Sequence, residues 1–378
     1  MSDDAPNALT LAVTARRAAG KPLLDLTVTN PDVAGLGWPH AELAALLGAP
    51  GCERHEPDPL GAPAAREAIA AYYAGHGARV DPTRICLSAS TSEAYTWWFR
   101  LLCEAGDTIL APEPAYPLVA ILAEIARVRV IPYRLQLRDG VWRVDPASVR
   151  PDARTRAIVV ISPANPTGHQ LHPDDLALLR AAAPGCPLVI DEVFLDYTAH
   201  GVAPRTHAGE ADAPTIVLSG LSKVALAPQL KVGWSVVAGP ESWARPLLDR
   251  LEHHADAFLS VNAPAQVALP GLLAAAPARR AAVKGRLFAN ELVLREFFSA
   301  DDHGVTVLPR EAGWSAVLRL PPGVDELALA LRAVGQGVLA HPGHYYDLEG
   351  HHLVLSLLTP ETDFVPGIVA LRDALEAV

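Results

Sequence analysis

Short apolar runs rich in β-branched residues alternate along this chain with longer alanine- and leucine-rich segments of helical period. We interpret the short runs as buried strands; they cover residues 109–110, 128–132, 157–162, 188–190, 215–218 and 232–237. This alternation predicts an α/β fold in which helices cover both faces of a mostly parallel sheet. Such sheets bind ligands at the carboxyl ends of their strands, so functional residues are sought there first.

The pattern changes after about residue 275, where a long helix is followed by short strands and further helices. At 378 residues the chain exceeds the usual length of one domain. We therefore predict a large domain over residues 46–274 and a smaller α+β domain formed by residues 1–45 and 275–378.

Charge and cysteine usage exclude several classes of protein. The chain has 42 acidic against 31 basic residues, a net charge of −11, and no charged tract, so we expect neither a nucleic acid nor an anionic membrane as partner. Its four cysteines form no CxxC pair, which predicts neither a bound metal nor a disulfide framework. The acidic N-terminus is unlike a signal peptide, and no apolar run could span a membrane. We expect a soluble, cytoplasmic protein.

Lysine is rare here, with four lysines among the 31 basic residues, and Lys223 follows the predicted strand 215–218 in the string SGLSK. A lysine at a strand end in partly apolar surroundings has a lowered pKa and can form a Schiff base with an aldehyde. A surface lysine on a turn is the alternative for this fragment alone. Lys231, eight residues on, could add a positive charge for an anionic ligand.

Two polar residues follow other predicted strands. Asp191 ends an apolar strand, where a cationic ligand nitrogen, a structural arginine or a helix N-terminus could pair with it. Asn165 lies in the string PANPTG, a rigid turn that could contain a cis bond to Pro166 and fix the amide, although an ordinary loop is the alternative.

Small hydroxyl residues and an aromatic residue complete the candidates. Thr91 and Ser92 precede a helix, where unpaired backbone N–H groups could bind an anion or where a simple N-cap could form. Tyr116 follows another strand and could stack on a planar ring or belong to the core.

An amine, an acid, an amide, an aromatic ring and an anion cradle together describe a pocket for pyridoxal 5'-phosphate (PLP). With these residues in this order, the chain resembles the fold type I PLP-dependent enzymes of the class I/II aminotransferase branch. The resemblance runs from about Leu24 to the C-terminus and includes residues 25–31, GAPAAREAIAAYY, SPANPTG and SGLSKVALAPQLKVGW.

The resemblance implies a role for each candidate. Lys223 would form the internal aldimine and then move a proton as a base, and Asp191 would keep the pyridinium nitrogen protonated. Asn165 would bind the phenolic oxygen, and Tyr116 would stack on the ring. The phosphate would be held by Thr91, Ser92, Ser222 and Lys231. The resemblance also implies a homodimer with shared active sites that moves an amino group between an amino acid or amine and a keto acid.

The chain departs from the family pattern beside the cofactor. Phe194 replaces a tyrosine that donates to the phenolic oxygen, and Gly220 replaces a phosphate-binding serine, leaving Ser219 or Ser222 as substitutes. Lys231 stands where arginine is usual, and His55 replaces the tyrosine that reaches the partner's phosphate.

The largest departure is Val354, which occupies the place of the arginine that grips the substrate's α-carboxylate. Without that arginine an ordinary amino acid loses roughly 2–5 kcal/mol of binding unless another donor substitutes. Candidate substrate or partner-subunit residues are Asn30, Arg54, His55 and His344. We predict an aminotransferase; a PLP-dependent lyase or decarboxylase is the alternative, because carboxylate placement decides which bond breaks, and a non-catalytic PLP-binding protein is a third.

Overall fold

The computed structural model describes residues 6–299 and 304–376. The helices are α1 (Ala8–Ala18), α2 (His40–Leu47), α3 (Pro63–Gly75), α4 (Thr91–Leu102), α5 (Leu118–Ile125), α6 (Pro173–Ala182), α7 (Leu221–Val224), α8 (Glu241–Asp256), α9 (Ala263–Ser299), α10 (Glu326–Gln336) and α11 (Glu361–Glu376). The strands are β1 (Leu24–Asp25), β2 (Ile85–Ser88), β3 (Thr108–Glu113), β4 (Arg129–Arg138), β5 (Val141–Val144), β6 (Thr155–Ile161), β7 (Leu188–Asp191), β8 (Thr215–Gly220), β9 (Gly233–Ala238), β10 (Thr306–Val307), β11 (Ser315–Arg319), β12 (Val338–Leu339), β13 (His341–Pro342) and β14 (His352–Ser356).

The large sheet has the strand order β2-β9-β8-β7-β6-β3-β4-β5. Its middle pairs, from β8 through to β4, are parallel, whereas β9 runs antiparallel to both neighbours and β5 runs antiparallel to β4. Every residue of β7, β8 and β9 is buried, so both faces of the sheet are covered. The predicted α/β class with a mostly parallel sheet is confirmed.

A second, smaller sheet has the order β10-β11-β14-β13 and is antiparallel throughout. The N-terminal segment joins this region, because β1 pairs with β12. Leu9 and Leu26 are buried in the same apolar cluster as Leu329 and Leu353. Residues from both ends of the chain therefore share one core.

Helix α9 differs most from the sequence prediction. The sequence predicted a domain boundary at 274/275, but α9 is continuous across it and contains Pro270 and Pro277. An interior proline costs about 3 kcal/mol or more. Leu269 and Leu272 are fully buried on this helix, and each such leucine contributes roughly 1.5–3 kcal/mol. Together with the other large buried side chains of α9, which are Leu273, Val283, Leu287, Leu294 and Phe298, this packing offsets the two prolines. The division into two domains stays a prediction.

The β4–β5 hairpin was also absent from the sequence prediction. Asp139 and Gly140 connect the two strands and both have positive φ, at 50° and 79°. An Asp-Gly pair in this conformation is the favoured two-residue turn between antiparallel strands. The dipeptide, flanked by alternating apolar residues, was the signal that could have predicted the hairpin. No helix in the described part of the chain combines the length and the apolar character that a membrane crossing requires.

Candidate active site

Lys223 lies just beyond the carboxyl end of β8, as the sequence predicted, but on the short helix α7 where a loop was predicted. Its Nζ donates to the backbone oxygen of Thr29 at 3.3 Å and lies 4.3 Å from the centroid of the Trp314 ring. No carboxylate in the described parts of the chain pairs with it. Burial lowers the pKa of this amine to about 8, so about a tenth of it is unprotonated at neutral pH. The simple alternative of a surface lysine does not describe this side chain.

Asp191 is the last residue of β7 and only 8% exposed. Its Oδ1 accepts a hydrogen bond from the Val193 backbone N–H, and its Oδ2 accepts one from the Tyr95 hydroxyl, both at 3.1 Å. Burial raises the pKa of the carboxyl to about 6, although these two hydrogen bonds lower it. Among the described residues no arginine or lysine pairs with Asp191, so the structural arginine considered above is excluded there. A ligand cation at this position would stabilise the ionised form.

Asn165 lies in the turn that follows β6, and the Asn165–Pro166 bond is cis. Its backbone oxygen accepts from the Tyr116 N–H at 2.9 Å. Its side-chain Oδ1 accepts from Ser315 Oγ at 3.0 Å, which leaves the two N–H donors of Nδ2 for other acceptors.

The turn after β6 packs closely on the segment that leads into β11. Gly168 has a φ of +70°, and a Cβ there would lie 2.3 Å from the Ala312 carbonyl oxygen. Only glycine fits this position. The close approach holds the turn with Asn165 next to the strand that carries Ser315.

The N-terminus of α4 lies at the end of β2. Ser90 caps the helix by accepting from the Glu93 N–H at 3.1 Å. The backbone N–H groups of Thr91 and Ser92 have no acceptor within the described residues and can bind an anion. Gly233 of β9 allows this arrangement, because a Cβ there would lie 2.7 Å from the Thr91 nitrogen. The N-cap alternative therefore applies to Ser90, one residue before the anion-binding candidates.

The remaining phosphate candidates lie around Lys223. Ser222 is half-buried on α7, whereas Lys231 is exposed and has a left-handed backbone with a φ of 53°. A Cβ on Gly220 would lie 2.8 Å from the Val232 carbonyl oxygen, so the serine usual at this place does not fit here. Ser219 Oγ is buried and has no hydrogen-bond partner.

Tyr116 is 51% exposed, and its ring centroid lies 6.4 Å from that of Tyr346. This exposure excludes the alternative that Tyr116 is an ordinary core residue. Its backbone is tied to Asn165, as described above, so the aromatic ring and the amide are held by one turn.

Four residues that contact the candidates were missed by the sequence analysis: Thr29, Tyr95, Trp314 and Ser315. Trp314 and Ser315 are adjacent, yet one contacts Lys223 and the other binds Asn165. They come from a distant segment of the chain, and no local pattern marks them as site residues. The Gly313 that precedes them was the only nearby signal, since it indicates a strand start.

Val354 is 3% exposed on β14, where its neighbours across the sheet are Val317 and His341. Val354 and Val317 belong to the apolar cluster of the large sheet, whereas Leu353 and Leu355 face the smaller core. Position 354, where the family has an arginine, is therefore apolar on the face of β14 that meets the large sheet.

The other substrate and partner candidates bond to their own neighbours, and among the described residues none of them has a hydrogen bond or ion pair with Lys223. Arg54 is exposed and lies 3.7 Å from Glu53, and Arg54 and His55 line one cleft together with Leu259 and Gln266. Asn30 Oδ1 accepts from the Asp32 N–H at 3.0 Å. His344 Nδ1 lies 2.6 Å from a carboxylate oxygen of the buried Glu326. The cofactor candidates thus lie at or just beyond the ends of neighbouring strands of the large sheet, whereas these four lie elsewhere in the chain.

Residues 23–362 match the family described as aminotransferase class I and II. Glutamate-pyruvate aminotransferase AlaA of Escherichia coli strain K12 is 29% identical over 259 residues, which are 66% of this chain and 63% of that protein. The alanine aminotransferase of Mycobacterium tuberculosis strain H37Rv is 27% identical over 266 residues, which are 67% and 60% of the two chains. The chain thus spans less than two thirds of the length of these relatives.

Solved structures match over nearly the whole chain. An alanine aminotransferase from Pyrococcus furiosus has a TM-score of 0.88 at 22% identity and covers 98% of this chain and 96% of its own. An aminotransferase from Escherichia coli has a TM-score of 0.86 at 23% identity and covers 99% and 95%. At these identities the likeness shows a shared fold.

Proposed function

The chain belongs to the aminotransferase class I and II family, and from that premise we propose that it is a PLP-dependent transaminase, which moves an amino group between an amine or amino acid and a keto acid. The observation that carries this proposal is the pair formed by Lys223 and Asp191. One is a half-buried amine with a lowered pKa, the other is a buried carboxyl without a cation, and both lie at the ends of neighbouring strands.

The residues present fit the chemistry of PLP. The aldehyde carbon suits the Lys223 amine, the ring nitrogen suits the unpaired Asp191 carboxylate, and the phosphate suits the open N-terminus of α4. Ser219 Oγ, on β8 four residues before Lys223, is a further buried hydroxyl with no partner among the described residues. When bound, PLP supplies an electron sink for the negative charge that develops on the substrate's α-carbon.

Lys223 would attach the cofactor and then carry the proton that leaves the substrate's α-carbon. A pKa of about 8 suits both tasks, because the amine is available at neutral pH and still basic enough to take a proton. The Thr29 carbonyl and the Trp314 ring hold Nζ in place when it carries charge. Neither contact neutralises the amine as a carboxylate would.

Asp191 would hold a proton on the ring nitrogen, with Tyr95 and the Val193 N–H keeping the carboxylate in position. Asn165 Nδ2 would donate to the phenolic oxygen, and Ser315 orients that amide by donating to its Oδ1. Phe194 offers no second donor there, so Asn165 and its serine partner carry this task alone.

The phosphate would be bound by the N–H groups and hydroxyls of Thr91 and Ser92, by Ser222 and by the point charge of Lys231. Tyr116 would cover one face of the ring. The open N-terminus of α4 supports the first role, and the exposed ring of Tyr116 supports the second.

For the substrate we propose an amine or amino acid whose α-carboxylate is not held at position 354. The relatives named above act on alanine or on glutamate and pyruvate, but the apolar surface around Val354 argues against simple transfer of their specificity. A PLP-dependent lyase or decarboxylase is the second candidate, because a carboxylate without a fixed arginine can turn perpendicular to the ring and leave.

We also propose a cytoplasmic homodimer whose active sites are completed by the neighbouring subunit. Phe258 is 51% and Leu259 41% exposed, beside the cleft that Arg54 and His55 line. Large exposed apolar residues next to a candidate partner loop support an interface there. The four cysteines are unpaired, as expected in a reducing compartment.

The test is a single-turnover reaction of the PLP-loaded protein with a panel of amino acids and amines. Conversion of the cofactor to its amino form, with release of the matching keto acid or aldehyde, would support transamination. Release of carbon dioxide or of an eliminated group with the cofactor unchanged would favour the second candidate. If no donor reacts, the proposal is contradicted and the protein binds the cofactor without catalysis.

A further inference from the structure

Two histidines and a glutamate meet where the turn after β6 contacts the segment before β11. One ligating atom from each of His169, His172 and Glu311 lies within 4.8 Å of the other two. His172 Nε2 is 3.0 Å from Glu311 Oε2, and His169 Nδ1 is 3.8 Å from the same oxygen. The two imidazole rings are stacked with centroids 5.7 Å apart. The proposed PLP chemistry uses none of these residues.

His169 is the unusual member of this cluster. It is 2% exposed, and neither ring nitrogen has a hydrogen-bond partner among the described residues. Buried polar groups are nearly always paired, so such a side chain calls for a ligand. A neutral imidazole in this position offers a nitrogen lone pair to an ion.

The donor types select the ligand. Two imidazole nitrogens and one carboxylate oxygen are a usual set for zinc and related first-row ions, whereas calcium and magnesium prefer oxygen atoms. The side chains of His172 and Glu311 are 18% and 19% exposed, so water can reach the outer side as a fourth ligand. The Gln170 backbone N–H donates to Glu311 Oε2 at 3.2 Å and fixes the carboxylate. We propose that His169, His172 and Glu311 bind one divalent transition-metal ion of the zinc class.

Arg205 competes with the ion. Its Nη1 lies 3.5 Å from His172 Nδ1 and 3.8 Å from Glu311 Oε1. An ion on His172 Nε2 requires the ring proton to sit on Nδ1, where it would face the guanidinium. Arg205 must then turn away, and its side chain is 39% exposed, which leaves it room in solvent. Removing this positive charge should tighten metal binding.

The site joins the turn that carries Asn165 to the segment that carries Ser315. A bound ion would fasten the two segments together from outside the cofactor pocket. The inference does not depend on the transaminase proposal, because it needs only the three ligands.

The cofactor-loaded protein is first freed of metal with a chelating resin. Zinc chloride is then titrated into it in a calorimeter, and the bound metal is measured by elemental analysis. We expect one zinc ion per chain with a Kd below about 1 µM. At a zinc concentration about 100 times Kd, Tm should rise by about 3 °C. Less than half an ion per chain in the wild type would overturn the proposal.

Variants separate this site from adventitious binding. His169→Gln and His172→Ala should each weaken binding by about 100-fold or more, since a ligand matters more than a supporting residue. Arg205→Ala should tighten it about tenfold, which a merely structural polar network would not do. His40→Gln, at an exposed histidine outside the cluster, is the matched control. If His169→Gln fails to fold, the other two variants decide, and affinities equal to that of the wild type in both would overturn the site.

Discussion

The two sides of the candidate pocket differ in chemistry. On the side of the large sheet, each group that PLP presents has a polar counterpart, from Lys223 and Asp191 to the N-terminus of α4. On the side of the small sheet, Val354 and its neighbour Val317 are each 3% exposed, belong to the apolar cluster of the large sheet and offer no charged group. If the two sheets carry these tasks as proposed, cofactor binding and substrate recognition can vary separately on one fold.

The largest expected effect is that of Lys223→Ala. Without the amine, the cofactor cannot be attached and the proton has no carrier, so turnover should fall by about 10⁴-fold or more. The protein should also lose its yellow colour. Mass spectrometry after borohydride treatment of the wild type should find the cofactor on Lys223, and Lys284→Ala, at an exposed lysine, should behave as the wild type. Cofactor found on Lys231 would refute the assignment of Lys223 as the residue that attaches it.

Asp191→Asn should separate binding from chemistry. The amide cannot hold a proton on the ring nitrogen, so turnover should fall by about 10²- to 10³-fold while the cofactor still becomes attached. Tyr95→Phe is the milder companion, because it removes one hydrogen bond from the carboxylate and should cost about tenfold. Turnover and absorbance measured together check both, and an Asp191→Asn protein as active as the wild type would make Asp191 a structural acid.

Val354→Arg tests the apolar half directly. A guanidinium at this position should raise kcat/KM for alanine and glutamate by about 10- to 100-fold, since a charge-assisted hydrogen bond to the carboxylate contributes about 1.5–3 kcal/mol. Val354→Met, similar in reach but uncharged, is the matched control. No gain for any amino acid in a folded Val354→Arg protein would show that another donor already holds the carboxylate. Arg54→Ala and His344→Ala should then identify that donor through a raised KM.

The pH dependence of cofactor attachment should report the Lys223 pKa. The reactive form is the unprotonated amine, whose fraction rises with pH until the pKa is passed. Attachment of PLP to the cofactor-free protein should therefore speed up about tenfold per pH unit below pH 8 and level off above it. Stopped-flow absorbance measures this rate, and a plateau reached only above pH 10 would mean an ordinary, solvated lysine.

The smallest effect should come from Phe194→Tyr. A tyrosine would add a second donor to the phenolic oxygen, which stabilises the unprotonated imine and lowers its pKa by about 0.4–1 unit. Phe194 packs edge-on against Trp314, with ring centroids 5.5 Å apart, and Phe194→Leu controls for lost packing. A spectrophotometric titration gives the imine pKa. A rise in this pKa would indicate that Ser315 and Asn165 already occupy the place of the second donor.

Sequence alone predicted the central strands because each is a buried, β-branched run with its own turn signals. It also predicted Lys223 and Asp191, since each follows such a run directly. It missed the contacts of Trp314 and Ser315 because they arise from chain segments over 90 residues away from Lys223 and about 150 from Asn165. Such contacts depend on how the sheets pack and leave no local pattern.

The substrate side was harder for a similar reason. His344 looked suited to a carboxylate because it is a basic residue in a glycine- and proline-containing loop. The structure turns it to Glu326 on α10, which also accepts from the backbone N–H groups of His344 and His352. A buried acid 18 residues earlier in the chain recruits this histidine, and only the folded arrangement reveals that pairing.

The unbroken course of α9 has a mechanical consequence. Its 37 residues make a rod about 55 Å long. Near one end Asn290 donates to the carbonyl oxygens of Leu357 and Thr359, just beyond β14, and near the other Gln266 Oε1 accepts from the Ala62 N–H. One helix therefore connects the region of β14 with the surface that is proposed to face a second subunit. We expect a tilt of β14 to move the Gln266 end of α9 as well, unless the helix bends at Pro270 or Pro277, where a backbone hydrogen-bond donor is missing.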